Sequence, residues 1–286
     1  MFLIIGAITV VVCTLGGYAA MGGKLPVLWQ PFEVVIICGA ALGAFIIANP
    51  KDLIVKVVAA IGDVFKERSY TKDKYLELLV LLFATFKMAR SKGVLALEGH
   101  VEDPHNSEFF KKFPHFHKNH HAVTFFCDYL RLITMGTNSP HQLEDLMDYE
   151  LETHHEECHQ ISGAVLTVGD GMPALGIVAA VLGVIKTMGS INEPPEVLGK
   201  LIGGALVGTF LGVWLSYTFV SPMGHSLNNT YEHDTRYMRT IKAGLLAFMH
   251  GHAPQVAVEF ARKGIFEDMR PDFYELEQAI ADAPTE

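Results

Sequence analysis

The sequence predicts an all-α membrane protein with four transmembrane helices and a large helical cytoplasmic domain. Three observations carry this. Leu201 to Val220 runs 20 residues without a charge, and at about 1.5 Å rise per residue it matches the roughly 30 Å hydrocarbon core of a bilayer. A second apolar segment, Pro173 to Gly189, precedes it, and only the short polar link Ser190-Ile-Asn-Glu-Pro-Pro-Glu-Val197 separates the two. Half of the 286 residues are hydrophobic and 19% are charged, with a mean hydropathy of +0.28, which suits a membrane protein with a substantial aqueous part.

In chain order, Phe2 to Ala20 is an uncharged run without the basic leader of a secretory signal, and reads as a retained first span. A glycine- and proline-containing turn, Gly22 to Pro31, leads to a second span, Phe32 to Ala48, with Gly39 and Gly43 four residues apart. Residues 1–49 thus hold spans one and two, 50–164 a cytoplasmic helical domain, 165–222 spans three and four, and 223–286 a cytoplasmic C-terminal helical tail. Of 22 Lys and Arg, 13 lie between Lys51 and Arg131 and 6 follow Pro222. Basic segments stay inside, which places the long loop, the tail and both termini in the cytoplasm.

Within the loop, Asp73 to Arg90 is the most apolar piece, yet its uncharged centre, Leu78 to Phe86, is too short to span and is flanked by Glu77 and Lys87. It reads as a packed cytoplasmic helix. Thr124 to Thr134 and Gln142 to Glu157 read as further helices, the second with Leu143, Leu146, Met147 and Leu151 on one apolar face. The tail from His225 to Ala281 holds at least one long helix and ends in acidic, mobile residues.

The paired spans are rich in small residues at helical spacing. Gly204, Gly208 and Gly212 form a doubled G-x-x-x-G row, and Gly176, Ala180 and Val184 a weaker one. Lipid tails give helices no hydrophobic reason to associate, so close backbone approach over small residues does that work. Internal packing between the two spans follows, with contacts between subunits besides.

Candidate chemistry is sparse. An ion path through a bilayer usually needs an ionisable residue at depth. Here Glu33 and Asp170 fall at span edges, and Lys186, the one charge within a span, can snorkel to the outer interface. A chain that moves ions with these spans needs a carboxylate from a partner. Thr209 lies in the middle of the fourth span, where a threonine ordinarily bonds its own i−4 carbonyl, and Ala180 stands at the matching depth of the third span with no ligand to offer. Pro173 and Pro222, near the cytoplasmic ends of spans three and four, read either as helix-start punctuation or as hinges. Arg90 and Glu98 read as solvated surface charges.

Ten of fourteen histidines lie between His100 and His159. The run His154-His-Glu-Glu-Cys-His159 contains an H-E-x-x-H spacing, with His155 and His159 as zinc ligands and Glu156 as base in a membrane metalloprotease. No third ligand is evident, and the run lies outside the spans, so a solvated, pH-responsive surface outranks a metal site. The four cysteines lie far apart and suggest no disulfide framework. A net charge of −9 disfavours nucleic acid as a partner.

The wording Gly16-Gly-Tyr-Ala-Ala-Met-Gly-Gly23, Gln30-Pro-Phe-Glu33, Gly169-Asp-Gly-Met-Pro-Ala-Leu-Gly-Ile-Val-Ala-Ala-Val-Leu-Gly183, Val207-Gly-Thr-Phe-Leu-Gly212 and Pro254-Gln-Val-Ala-Val-Glu-Phe-Ala-Arg-Lys263 closely resembles the MotA family, the A subunits of bacterial flagellar stators among the MotA/TolQ/ExbB proton channels. The resemblance runs essentially end to end. It implies a homopentamer in the bacterial inner membrane around a dimer of MotB-type B subunits whose aspartate accepts the ion. Protonating that aspartate would neutralise a buried charge and release its hold on the A ring. The resemblance further implies rotor contacts with FliG at Arg90 and Glu98, coupling through Pro173 and Pro222, and an ion-path hydroxyl at Thr209. Alanine at position 180 resembles the proton-driven rather than the sodium-driven members, which carry threonine there.

No cofactor is implied, and no covalent bond is made or broken, so the expected protein is not an enzyme. The histidine-rich loop and Gly171-Met172, where relatives commonly carry a serine and a bulkier residue, depart from the family pattern. A Tol- or Ton-type energiser subunit is the nearest alternative, and such subunits typically have three spans.

Overall fold

The computed structural model describes residues 2–64, 70–137 and 139–283. Their order is α1 (Phe2–Ala20), α2 (Leu25–Leu28), α3 (Pro31–Ala48), α4 (Lys51–Val64), α5 (Lys72–Lys92), a 3-10 turn (Val94–Leu97), α6 (Glu98–Glu102), α7 (Glu108–Lys111), α8 (Pro114–His117), α9 (His120–Thr134), α10 (Pro140–Met188), α11 (Pro195–Leu215), a π-helical turn (Ser216–Val220), α12 (Ser221–Met249), α13 (Pro254–Lys263) and α14 (Phe273–Ala281). No strand occurs among the described residues. Prolines open α3, α8, α11 and α13, where their missing N–H would have been unpaired anyway.

Four helices are long and apolar enough to cross a membrane: Leu3–Ala20, Leu25–Ala48, Pro140–Met188 and Pro195–Met249. The expected third span is therefore the C-terminal part of one 49-residue helix, α10, rather than a helix starting at Pro173. Gln142 to Glu157, expected as a separate helix, belongs to the same α10.

The chain divides into two compact units, residues 1–67 with 157–230, and residues 68–156 with 231–286. In the first unit Ile37 and Ala41 of α3, Met172 and Ala179 of α10, and Val207 and Leu211 of α11 form a small core. Much apolar surface stays outside it, including Phe32 (80% exposed) and Ile47 (88%), as expected of helices whose solvent is lipid.

The second unit is built around α5, whose Tyr75, Leu78, Leu79, Leu82 and Phe86 are fully enclosed. A helix apolar all round is a core helix, and the piece too short to span serves here as that core. Phe86 stacks on Phe248 of α12 at 4.7 Å. Glu77 of the same helix accepts hydrogen bonds from the backbone N–H groups of His115 (2.8 Å) and Phe116 (2.9 Å), capping α8. Helix α9 starts at His120, with the Asn119 side chain as cap. It is thus four residues longer than its apolar periodicity suggests. On the expected face of α10, Leu143, Met147 and Leu151 are buried, but Leu146 is 47% exposed. In the tail, α14 carries a reciprocal capping box of Asp272 and Glu275. The acidic terminus beyond residue 283 lies outside the described residues.

Candidate ion path and coupling site

The first unit's functional geometry is the seam between α10 and α11. A Cβ built on Gly212 would stand 2.7 Å from Gly176 Cα and 2.7 Å from Met172 O, and one on Gly183 would stand 2.7 Å from Ala205 Cβ. The glycine row of α11 therefore packs inside the chain. On α10 the row runs through Gly176, Ala179, Ala180 and Gly183. Val184, placed on this row by spacing alone, is exposed instead.

Ala180 meets this seam at the level of Gly208: its N lies 3.0 Å from a Cβ position on Gly208, and Thr209 is the next residue along α11. Other hydroxyls here are spent on backbone, as Thr187 donates to Gly183 O at 2.9 Å and Thr218 to Trp214 O. Thr209 makes no such bond among the described residues, so the ordinary i−4 expectation does not hold for it.

Glu33 is the residue that sequence position misplaced. It lies in the first turn of α3, but its side chain reaches the seam. Oε2 is 2.7 Å and Oε1 3.4 Å from the Cβ positions of Gly208 and Gly183 respectively. Oε2 is sealed from solvent and has no hydrogen-bond partner among the described residues, although Glu33 as a whole is half-buried. Two glycines leave the room that this carboxylate fills. The signal in the sequence was the offset between Glu33 and two glycines over a hundred residues away, which spacing rules cannot join.

Both prolines stand inside continuous helix. Pro173 lies within α10, so it leaves the carbonyl of Gly169, four residues back, without its helical donor. Ser216 Oγ, fully buried, donates to that oxygen at 2.7 Å. Pro222 is the second residue of α12, directly after the π-turn, in which the Ser221 N–H bonds Ser216 O. Single π-turns inside α-helices of this kind occur frequently at functional sites. Neither proline is simple punctuation.

In the second unit Arg90 lies in the last turn of α5 and Glu98 begins α6, with Gly93 at φ +87° turning the chain between the two helices. Both side chains are exposed. Arg90 Nη1 reaches the His252 carbonyl at 3.4 Å, and the His252 ring stacks on Phe260 of α13 at 5.1 Å.

The histidines gather partly. The His105 ring lies 5.9 Å from His117 and 5.1 Å from His120, and His121 lies 5.4 Å from His154. His155, Glu156 and His159 lie on successive turns of α10. Among the described residues no group of three or more His, Cys, Asp or Glu is arranged to hold a metal. Cys127 is buried, which pushes its thiol up to about 12, and Cys13 and Cys38 are exposed.

Four apolar helices and a glycine-lined seam with a carboxylate oxygen enclosed beside it define a multi-pass membrane protein of the kind that ion channels are built from. Residues 4–93 match the family described as Motility protein A N-terminal, and residues 117–240 match the MotA/TolQ/ExbB proton channel family. The chain belongs to the motility protein A branch of that family. It is 41% identical to Motility protein A of Salmonella typhimurium over 280 residues, covering 98% of this chain and 95% of the relative. The flagellar MotAB stator complex from Bacillus subtilis is similar in structure, with TM-score 0.72 and 25% identity over 90% of this chain and 92% of that one. The C. jejuni MotAB structure shares the fold at TM-score 0.79 and 18% identity, over 93% and 96% of the two chains.

Proposed function

We propose that this chain is the A subunit of a flagellar stator, passing protons together with a MotB-type partner and turning the flow into rotation of a rotor containing FliG. The observation that carries the reading is the 41% identity to Motility protein A over essentially the whole of both chains. Five copies surround a dimer of the B subunit, with both termini and residues 50–164 in the cytoplasm and the complex in the inner membrane. No cofactor takes part and no covalent chemistry is done.

Thr209 and Ala180 line the proton's way past the partner's aspartate. Ala180 lacks the oxygen that would help strip water from Na⁺, which supports H⁺ as the coupling ion. The enclosed carboxylate of Glu33 adds an ionisable group at the same level, and a carboxylate kept at membrane depth is usually kept for use. Neutralising the partner's aspartate frees the ring to step, and Pro173 and Pro222 carry the change in the spans to the cytoplasmic part. Arg90 and Glu98, exposed at either end of the Gly93 turn, meet the charged surface of FliG.

The energiser alternative is disfavoured by the fourth apolar helix and the N-terminal motility match. The protease alternative is disfavoured because, among the described residues, His155 and His159 have no third ligand arranged to hold a metal. The deciding experiment expresses the chain with its own B partner in a bacterium deleted for its stator. Restored swimming that collapses with a protonophore and is indifferent to Na⁺ is expected; a non-motile host carrying the assembled complex would sink the reading.

A further inference from the structure

Pro173 and Pro222 sit on different helices, and a mechanism that uses both needs something to join them. The bond between Ser216 and Gly169 does so. Pro173 has no N–H, so Gly169 O would be left unpaired inside a buried seam, at a cost comparable to a lost hydrogen bond. The donor that satisfies it comes from 47 residues away, from the first residue of the π-turn that precedes Pro222. Ser216 thereby spans both irregularities: its hydroxyl serves the gap made by Pro173, and its carbonyl accepts the Ser221 N–H within the turn beside Pro222.

A second hydroxyl stands next to the first. Ser221 Oγ is buried without a hydrogen-bond partner among the described residues, and it lies 2.6 Å from where a Cβ on Gly169 would be. Position 169 must lack a side chain for α10 and the start of α12 to approach this closely. The Gly169 carbonyl thus takes its donor from Ser216, while Ser221 packs against the face of Gly169 that a side chain would fill. Contiguous packed and hydrogen-bonded elements of this kind can carry coupling between sites.

Resting on the stator reading above, we infer that Ser216 is a positioning residue for coupling: its bond to Gly169 O latches the hydrogen-bond gap at Pro173 to the π-turn before Pro222.

The test is a double-mutant cycle on the complete complex with its B partner, using S216A, S216T, P173A and S216A/P173A. S216A is expected to lower the thermal midpoint by about 2–8 °C. In the P173A background residue 173 regains an N–H for Gly169 O, so adding S216A is expected to cost nothing further. Rotation of tethered cells is expected to slow by roughly two-fold or more in S216A, with S216T, which keeps the hydroxyl, recovering most of it. Equal thermal losses in both backgrounds, or wild-type rotation in S216A, would overturn the latch and leave the stator reading standing. If S216A does not assemble, S216T must both assemble and rotate; its failure also overturns the latch. A wild-type complex that turns no rotor removes the stator reading, and the latch with it.

Discussion

Single residues at the seam divide into those that fill space and those that handle charge, and substitutions should separate them. Glu33→Gln keeps the shape and removes the charge, so the complex should assemble while proton flux through an unplugged stator falls by about tenfold or more. Glu33→Asp should lie between. Acidification of lipid vesicles holding each complex reads this directly, and equal rates in all three would remove Glu33 from the path. Thr209 was legible as a mid-span hydroxyl, but its lack of a helical partner was not, because whether a threonine bonds its own turn depends on what surrounds it. The enclosure of Glu33 was hidden for the same reason: a side chain in the first turn of a span reads as an edge residue until glycines on two other helices open a cavity for it.

Helices tolerate change less evenly than their composition suggests. Gly212→Ala would place a methyl 2.7 Å from Gly176 Cα and Met172 O, both backbone atoms that cannot swing aside. It should cost about 1–3 kcal/mol and show as a lowered thermal midpoint and poorer recovery of the complex, whereas Gly199→Ala, with open space around it, should do neither. In α13 the Arg262 guanidinium binds Glu259 through two hydrogen bonds of 2.6 and 2.7 Å. It holds the Glu259 carboxyl below its ordinary 4.5. A depressed carboxyl contributes its full stabilisation above pH 4.5 and loses it as pH falls through the lower folded value. Glu259→Gln should therefore lower the stability of the cytoplasmic part at neutral pH and flatten its loss below pH 4.5, read by circular dichroism during acid titration. The glycine row and the apolar runs were visible in the sequence because both are periodic. That α10 passes Pro173 without stopping was not visible, since its rescue by Ser216 depends on a donor remote in sequence.

Taken whole, the molecule is a unit holding the four apolar spans and a second unit with its own aromatic core around α5, and the stator reading assigns each a different task. Charge reversal at Arg90 or Glu98, both exposed in the second unit, should weaken swimming while leaving copurification with the B partner and proton flux intact. Unimpaired swimming in both reversals would remove the rotor contact. Cys127 should resist thiol reagents at neutral pH until the second unit unfolds, because burial keeps its proton on. The four spans, the apolar core helix and the family were all legible from hydropathy and wording. The composition of each unit was not, because each draws on segments far apart in the chain.

The first helix bears on how the protein is made. None of the described side chains of α1 is buried, and its polar tie is one 3.3 Å hydrogen bond, donated by the Trp214 indole to Thr14. So little packing holds α1 that its place in the bilayer rests on its own hydropathy, in two separable stages in which entry precedes docking against its neighbours. Trp214→Phe should therefore leave insertion of α1 unchanged, read by protease protection, and weaken only its docking.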